Sequence, residues 1–160
     1  MSSSESDILI LGLGNDILAD DGIGPKLVER LRLNMFNESL IFKTAAIGGM
    51  EIIALTVGFR QAIIIDGMKS GRANPGKVIH LTPENFVETL HLSSFHDLNF
   101  LTALEFARSV DMELPNRIDI IAVEILEDLT FSNDFSSEIS RNFDRIYWEV
   151  RRLVERMIGN

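Results

Sequence analysis

Apolar residues in this chain fall into short unbroken runs, and the stretches between them carry apolar positions at helical spacing. The run Ile8–Leu13 leads into Gly14 and has no polar face, which predicts a strand buried on both sides. Gly22 and Gly24 then precede Pro25, a residue suited to the first turn of a helix. Ile23, Leu27 and Leu31 follow at spacing four on one face of that helix. Leu40–Ala45 reads as a second strand. Gly48 and Gly49 open a helix expected to turn Met50, Ile53, Ala54 and Val57 to one side. Residues 62–65 form a third buried strand, with Asp66 and Gly67 at its carboxyl end.

The stretch 69–76 holds Gly71, Pro75 and Gly76 and is too short for a crossover helix. The strand predicted over 77–81 is therefore expected to run antiparallel to its neighbour. Phe100, Ala103, Leu104 and Ala107 mark a further helix, ended by Pro115, and 118–123 is the fifth strand. Ile139, Phe143, Ile146, Tyr147, Val150, Val154 and Met157 sustain helical spacing through a long terminal helix. Alternating strands and helices with β-branched strands predict an α/β three-layer sandwich. Its five-stranded twisted sheet is mostly parallel with one antiparallel strand, and helices cover both faces.

Composition narrows this picture. At 160 residues and 46% apolar content, residues 1–160 are expected to form a single domain with its own core. The net charge of −9 disfavours a nucleic-acid partner, because phosphate binding rests on Lys and Arg. With no cysteine, thiolate zinc sites, iron–sulfur clusters and cysteine nucleophiles are excluded, so any metal must be held by carboxylate, imidazole or carbonyl. Residues 1–7 lack the basic start and apolar stretch of a secretory signal. The apolar runs fall far short of the ~20 residues that span a bilayer. A cytoplasmic protein with no membrane partner is the expectation.

Ligands in such sheets bind beyond the carboxyl ends of the strands. The acids expected there are Asp16, Asp20, Asp21 and Asp66. Gly12-Leu13-Gly14 opens like a dinucleotide fingerprint, but Ile17 stands where the third glycine belongs, and the acids would repel a pyrophosphate. Asp20 fits a cap or loop bond, Asp16 an exposed acid, and Asn15 a bond to the loop backbone. Asp21 has two readings, a helix N-terminal acid or a functional one. Asp66 ends an apolar strand, where an unpaired charge would be costly, and is a functional candidate. His80 reads as structural. The arginines of the terminal helix alternate with acids and read as a solvated face.

The segment Gly12-Leu13-Gly14-Asn15-Asp16-Ile17-Leu18-Ala19-Asp20-Asp21-Gly22-Ile23-Gly24 resembles the N-terminal signature of the hydrogenase maturation endopeptidases. The resemblance continues through Gly49-Met50-Glu51, Ile64-Ile65-Asp66 and the stretch around His96. It implies an endopeptidase that removes the C-terminal extension of a nickel–iron hydrogenase large-subunit precursor after nickel insertion. Carried over position by position, it implies Asp21, Asp66 and His96 as metal ligands, with Asp21 and Asp66 the catalytic acids. His91 is the rival histidine. Nickel would be supplied with the substrate, no cofactor would be tightly bound to the free enzyme, and the protein would be a monomer. The same ligands on the same fold also suit a non-catalytic metal-binding assembly chaperone.

Overall fold

The computed structural model describes residues 7–46, 48–88 and 95–159, and the side chains of all of these except 86–88 and 95–99. The strands are β1 (Ile8–Leu13), β2 (Leu40–Ala45), β3 (Gln61–Met68), β4 (Val78–Leu81) and β5 (Arg117–Glu124). The helices are α1 (Ile23–Asn34), α2 (Met50–Thr56), α3 (Pro83–Glu88), α4 (Phe95–Ser109) and α5 (Ser137–Ile158). A short 3-10 turn, Ala19–Gly22, precedes α1.

The strands lie in the order β2-β1-β3-β5-β4. All pairings are parallel except β4 with β5. Side chains alternate between faces along a strand, so each buried strand feeds two cores. Leu9 and Leu11 of β1, Ile64 of β3 and Ile120 of β5 pack with Ile52 and Ile53 of α2 and Leu104 of α4. Ile8, Ile10, Ile63, Ile65, Ile121 and Val123 face the other way, onto Leu27 and Leu31 of α1 and Ile146, Val150 and Val154 of α5. The layers are therefore α2 with α4, the sheet, and α1 with α5, which gives the three-layer sandwich that the hydrophobic pattern predicts.

Three expectations are corrected. The buried face of α2 is Ile52, Ile53 and Thr56, while Met50 and Ala54 are exposed and Val57 lies just past the helix in extended conformation. β3 and β5 run on past the predicted ends, because Asp66, Gly67 and Met68 stay in register with Ala122, Val123 and Glu124. β4 is antiparallel, as the short turn before it requires, but its partner is β5 rather than β3. The turn crosses the end of β5 around the buried Glu124. That carboxylate accepts bonds from Ser70 N at 3.0 Å, Ser70 Oγ at 2.8 Å and Gly71 N at 2.8 Å.

At the opposite, amino edge, Asp119 is 1% exposed and carries three partners. Arg117 Nε lies at 2.7 Å, His80 Nε2 at 2.8 Å and Gln61 Nε2 at 3.3 Å. His80 is thus a structural residue, as its position within a strand predicts. The polar face of α5 carries Arg145–Glu149 at 2.6 Å and Arg151–Glu155 at 2.9 Å, the solvated pairs expected of it. Among the described residues no helix is long and apolar enough to cross a membrane.

Candidate functional site

α1 carries the chain from β1 to β2 on one face of the sheet, and α2 returns it from β2 to β3 on the other. The two connections diverge at the carboxyl end of β1, which opens a crevice between its neighbours. Pairing of β1 with β3 ends at Gly12 and Ile65, so Asp66 stands just beyond the last shared rung. Alternation along β3 puts Asp66 in the series of Ala62, Ile64 and Met68, on the side of α2 and α4. It is half-buried.

The glycines of the loop after β1 explain how Asp21 reaches the same place. A Cβ on Gly24 would lie 2.3 Å from Leu13 O and 2.6 Å from Ile65 O, so only glycine lets the first turn of α1 rest on the ends of β1 and β3. Gly14 has φ +138°, and a Cβ there would sit 1.9 Å from Asp21 O. The loop closes on itself through Leu18 N to Asn15 O at 3.1 Å and Asp21 N to Leu18 O at 3.1 Å. Asn15 N donates to Asp21 Oδ2 at 2.8 Å, which fixes the Asp21 carboxylate at the crevice mouth. Asn15 Oδ1 accepts from Ile17 N at 3.2 Å, the loop bond its residue type predicts. The result is a cleft of about 140 Å³ lined by Leu13, Gly14, Asn15, Leu18, Asp21, Ala46 and Asp66.

Adjacent acids here have opposite tasks. Asp21 lines the cleft, whereas Asp20 is 0% exposed and faces away from it. Asp20 Oδ2 accepts from Leu126 N at 3.1 Å, Glu127 N at 2.9 Å and Ser136 Oγ at 2.7 Å, and Oδ1 accepts from Ser136 N at 2.7 Å. The expected loop bond is therefore a clasp on the whole segment between β5 and α5. That segment is tied further by Ala19 N to Ser132 O and Ser132 N to Ile17 O, both at 2.9 Å, and by a parallel bridge between Leu18 and Ser132. Sequence reasoning missed this partnership. Ser136 just before a long helix reads as an ordinary cap, yet its hydroxyl serves Asp20 instead.

Asp16 is exposed, as expected. His96, which the resemblance sets just ahead of a helix, lies in the first turn of α4, and its side chain lies outside the described residues. The short link 110–116 joins the end of α4 to the amino end of β5, so α4 runs antiparallel to that strand. Its first turn is therefore at the carboxyl edge, in the layer that Asp66 faces. His91 lies outside the described residues. Among the described residues no group of three or more His, Asp or Glu side chains could hold a metal. Asp21 and Asp66 offer hard oxygen donors, fewer than the three protein ligands of a catalytic zinc site.

Fold and site together define an open α/β protein with two carboxylates at its topological switch point. Solved structures give that class a closer description: the chain has the fold of the hydrogenase maturation endopeptidases. It is similar to the hydrogenase maturating endopeptidase HybD from E. coli, with a TM-score of 0.76 and 23% identity over 94% of this chain and 93% of that one. The [NiFe] hydrogenase maturation protease HybD from Thermococcus kodakarensis superposes with a TM-score of 0.67 and 24% identity, covering 92% of this chain and 98% of that one. The maturation protease HycI from the same organism gives 0.66 and 18%, covering 97% and 94%. No protein-family model and no curated protein sequence matches the chain.

Proposed function

We propose that this protein is an endopeptidase that removes the C-terminal extension of a nickel–iron hydrogenase large-subunit precursor after nickel insertion. The observation that carries the reading is the placement of Asp21 and Asp66 in one cleft of a fold shared with named maturation endopeptidases. Two half-buried carboxylates beside a narrow cleft can do two things. They can offer oxygens to a nickel ion that arrives within the precursor, and either can take a proton from a water directed at the scissile carbonyl. The nickel belongs to the substrate. With Asp21, Asp66 and His96 as its own ligands, the protein leaves the remaining coordination positions to the precursor, so capture of the ion is conditional on what the precursor brings.

Purified protein incubated with nickel-loaded and nickel-free precursor tests this reading. The loaded form is expected to shorten and the empty form to stay intact. Equal cleavage of both would remove the dependence on nickel, and no cleavage of either would leave a metal-binding assembly chaperone as the better account.

His96 belongs to this proposal as the third ligand, supported by its place in the first turn of α4 on the layer that Asp66 faces. Calorimetric titration with Ni²⁺ separates it from its rival. His96→Ala is expected to weaken binding and His91→Ala to leave it unchanged, and the reverse would move the ligand upstream.

A further inference from the structure

A cleft of about 140 Å³ is small beside the ~300–1,000 Å³ of ordinary ligand pockets. Its seven lining residues also fall well short of the ~20–30 residues a side that a specific protein complex buries. Recognition of a protein substrate must therefore come from surface around the cleft. One wall of the cleft leads directly to such a surface, because Leu18 lines the cleft and bridges to Ser132. The Leu18–Ser132 bridge sets Ile17 next to Phe131 in the parallel register. Phe131 is 81% exposed, Leu129 80%, Ile17 47% and Leu126 46%. Leu126, Leu129 and Phe131 lie within one short stretch, the bridge brings Ile17 beside it, and apolar side chains so exposed together mark an interaction surface.

This loop is also fastened in a way that a random surface loop is not. The buried Asp20 clasps Leu126, Glu127 and Ser136. Glu127 Oε1 accepts from Leu129 N at 2.8 Å and Thr130 N at 3.2 Å, which closes the turn that carries Leu129. Apolar groups on a turn already ordered lose little conformational freedom when a partner covers them. The flanking charge stays acidic after its own pairing is counted: Lys69 meets Asp128 at 2.9 Å and Lys26 bonds Asn133 O, which leaves Asp16, Glu127 and Asp134 along the same two segments, in a chain of net charge −9.

We infer that Ile17, Leu126, Leu129 and Phe131 form a ledge on which the folded body of the substrate protein docks, through an apolar surface bordered by basic side chains. The ledge rests on the endopeptidase reading and deepens it. Asp20 holds the ledge to the loop that bears Asp21, so substrate docked there is set in register with the cleft.

Steady-state cleavage of nickel-loaded precursor tests the ledge. Three proteins are compared: the wild type, the double variant Leu129→Ser/Phe131→Ser, and Phe36→Ser. Phe36 is 92% exposed and lies in the 35–39 connection at the amino edge of the sheet, away from the cleft. The double variant is expected to raise KM by about tenfold or more, with kcat within about twofold and an unchanged unfolding midpoint. Phe36→Ser should match the wild type. An unchanged KM in the double variant, or a fall in kcat alone, would overturn the ledge and leave the endopeptidase reading standing. An equal rise in KM with Phe36→Ser would also overturn it. A wild-type dimer that the double variant dissociates would assign the surface to a second copy of this chain instead. If the wild type leaves loaded precursor uncut, the endopeptidase reading fails and the ledge with it.

Discussion

Asp20 and Asp21 are neighbours in sequence, and what separates them is the company each keeps. Asp20 has no exposed surface and accepts four hydrogen bonds from the far side of the chain. Removing it would take from three amides the bonds that hold the β5–α5 segment in place. Charge-assisted bonds of this kind are worth ~1.5–3 kcal/mol each before compensation, and the whole clasp is expected to contribute about 3 kcal/mol. Asp20→Ala should lower the urea midpoint accordingly with little change in slope, measured by circular dichroism. A shift below ~0.5 kcal/mol would show that the clasp is decoration. The sequence reads Asp20 as a cap or loop acid but does not show its partners, because they lie more than a hundred residues away.

At the scale of elements, legibility follows contact range. β1 and β2 appear in the sequence with their observed bounds, β1 as an apolar run closed by glycine and β2 as a short stretch that opens on Leu40, Ile41 and Phe42 and ends before Gly48 and Gly49. The buried face of α2 did not: a seven-residue helix offers too few turns for periodicity to discriminate, and Met50 and Ala54 suit an exposed face as well as a buried one. α3 and the 3-10 turn Ala19–Gly22 were invisible for the same reason. The β5–α5 segment carries no periodic signal, and its order comes from Asp20 and Glu127. The Leu129 amide above all holds the Glu127 carboxyl below its ordinary value; desolvation opposes it, and the Thr130 amide and the charge of Lys69 add to the lowering.

A depressed carboxylate stabilises its turn above its unfolded value and ceases to do so as pH falls through the lower folded value. Amide shifts of Leu129 and Thr130, followed by NMR from about pH 6 to about pH 3, should move together with a midpoint below the ordinary glutamate value. Glu127→Gln should abolish that transition. A midpoint at or above the ordinary glutamate value would show that the turn does not depend on this charge.

For the whole molecule, the parallel order places its chemistry. Placing β1 between β2 and β3 brings the loop after β1 and the end of β3 to one crevice, and glycines at 14 and 24 let them close to contact distance. The residue pattern left Asp21 with two readings and the resemblance singled it out; what the sequence did not show is the packing across the fold that turns Asp21 inward and Asp20 away. The central claim is that Asp21 and Asp66 together process a nickel-loaded precursor. Single-turnover cleavage by Asp21→Asn and Asp66→Asn tests it most directly, because each change is nearly isosteric and removes only the charge and a metal-binding oxygen. Both variants should melt as the wild type does and cut at least about a hundredfold more slowly. Cleavage at the wild-type rate by either folded variant would contradict the account.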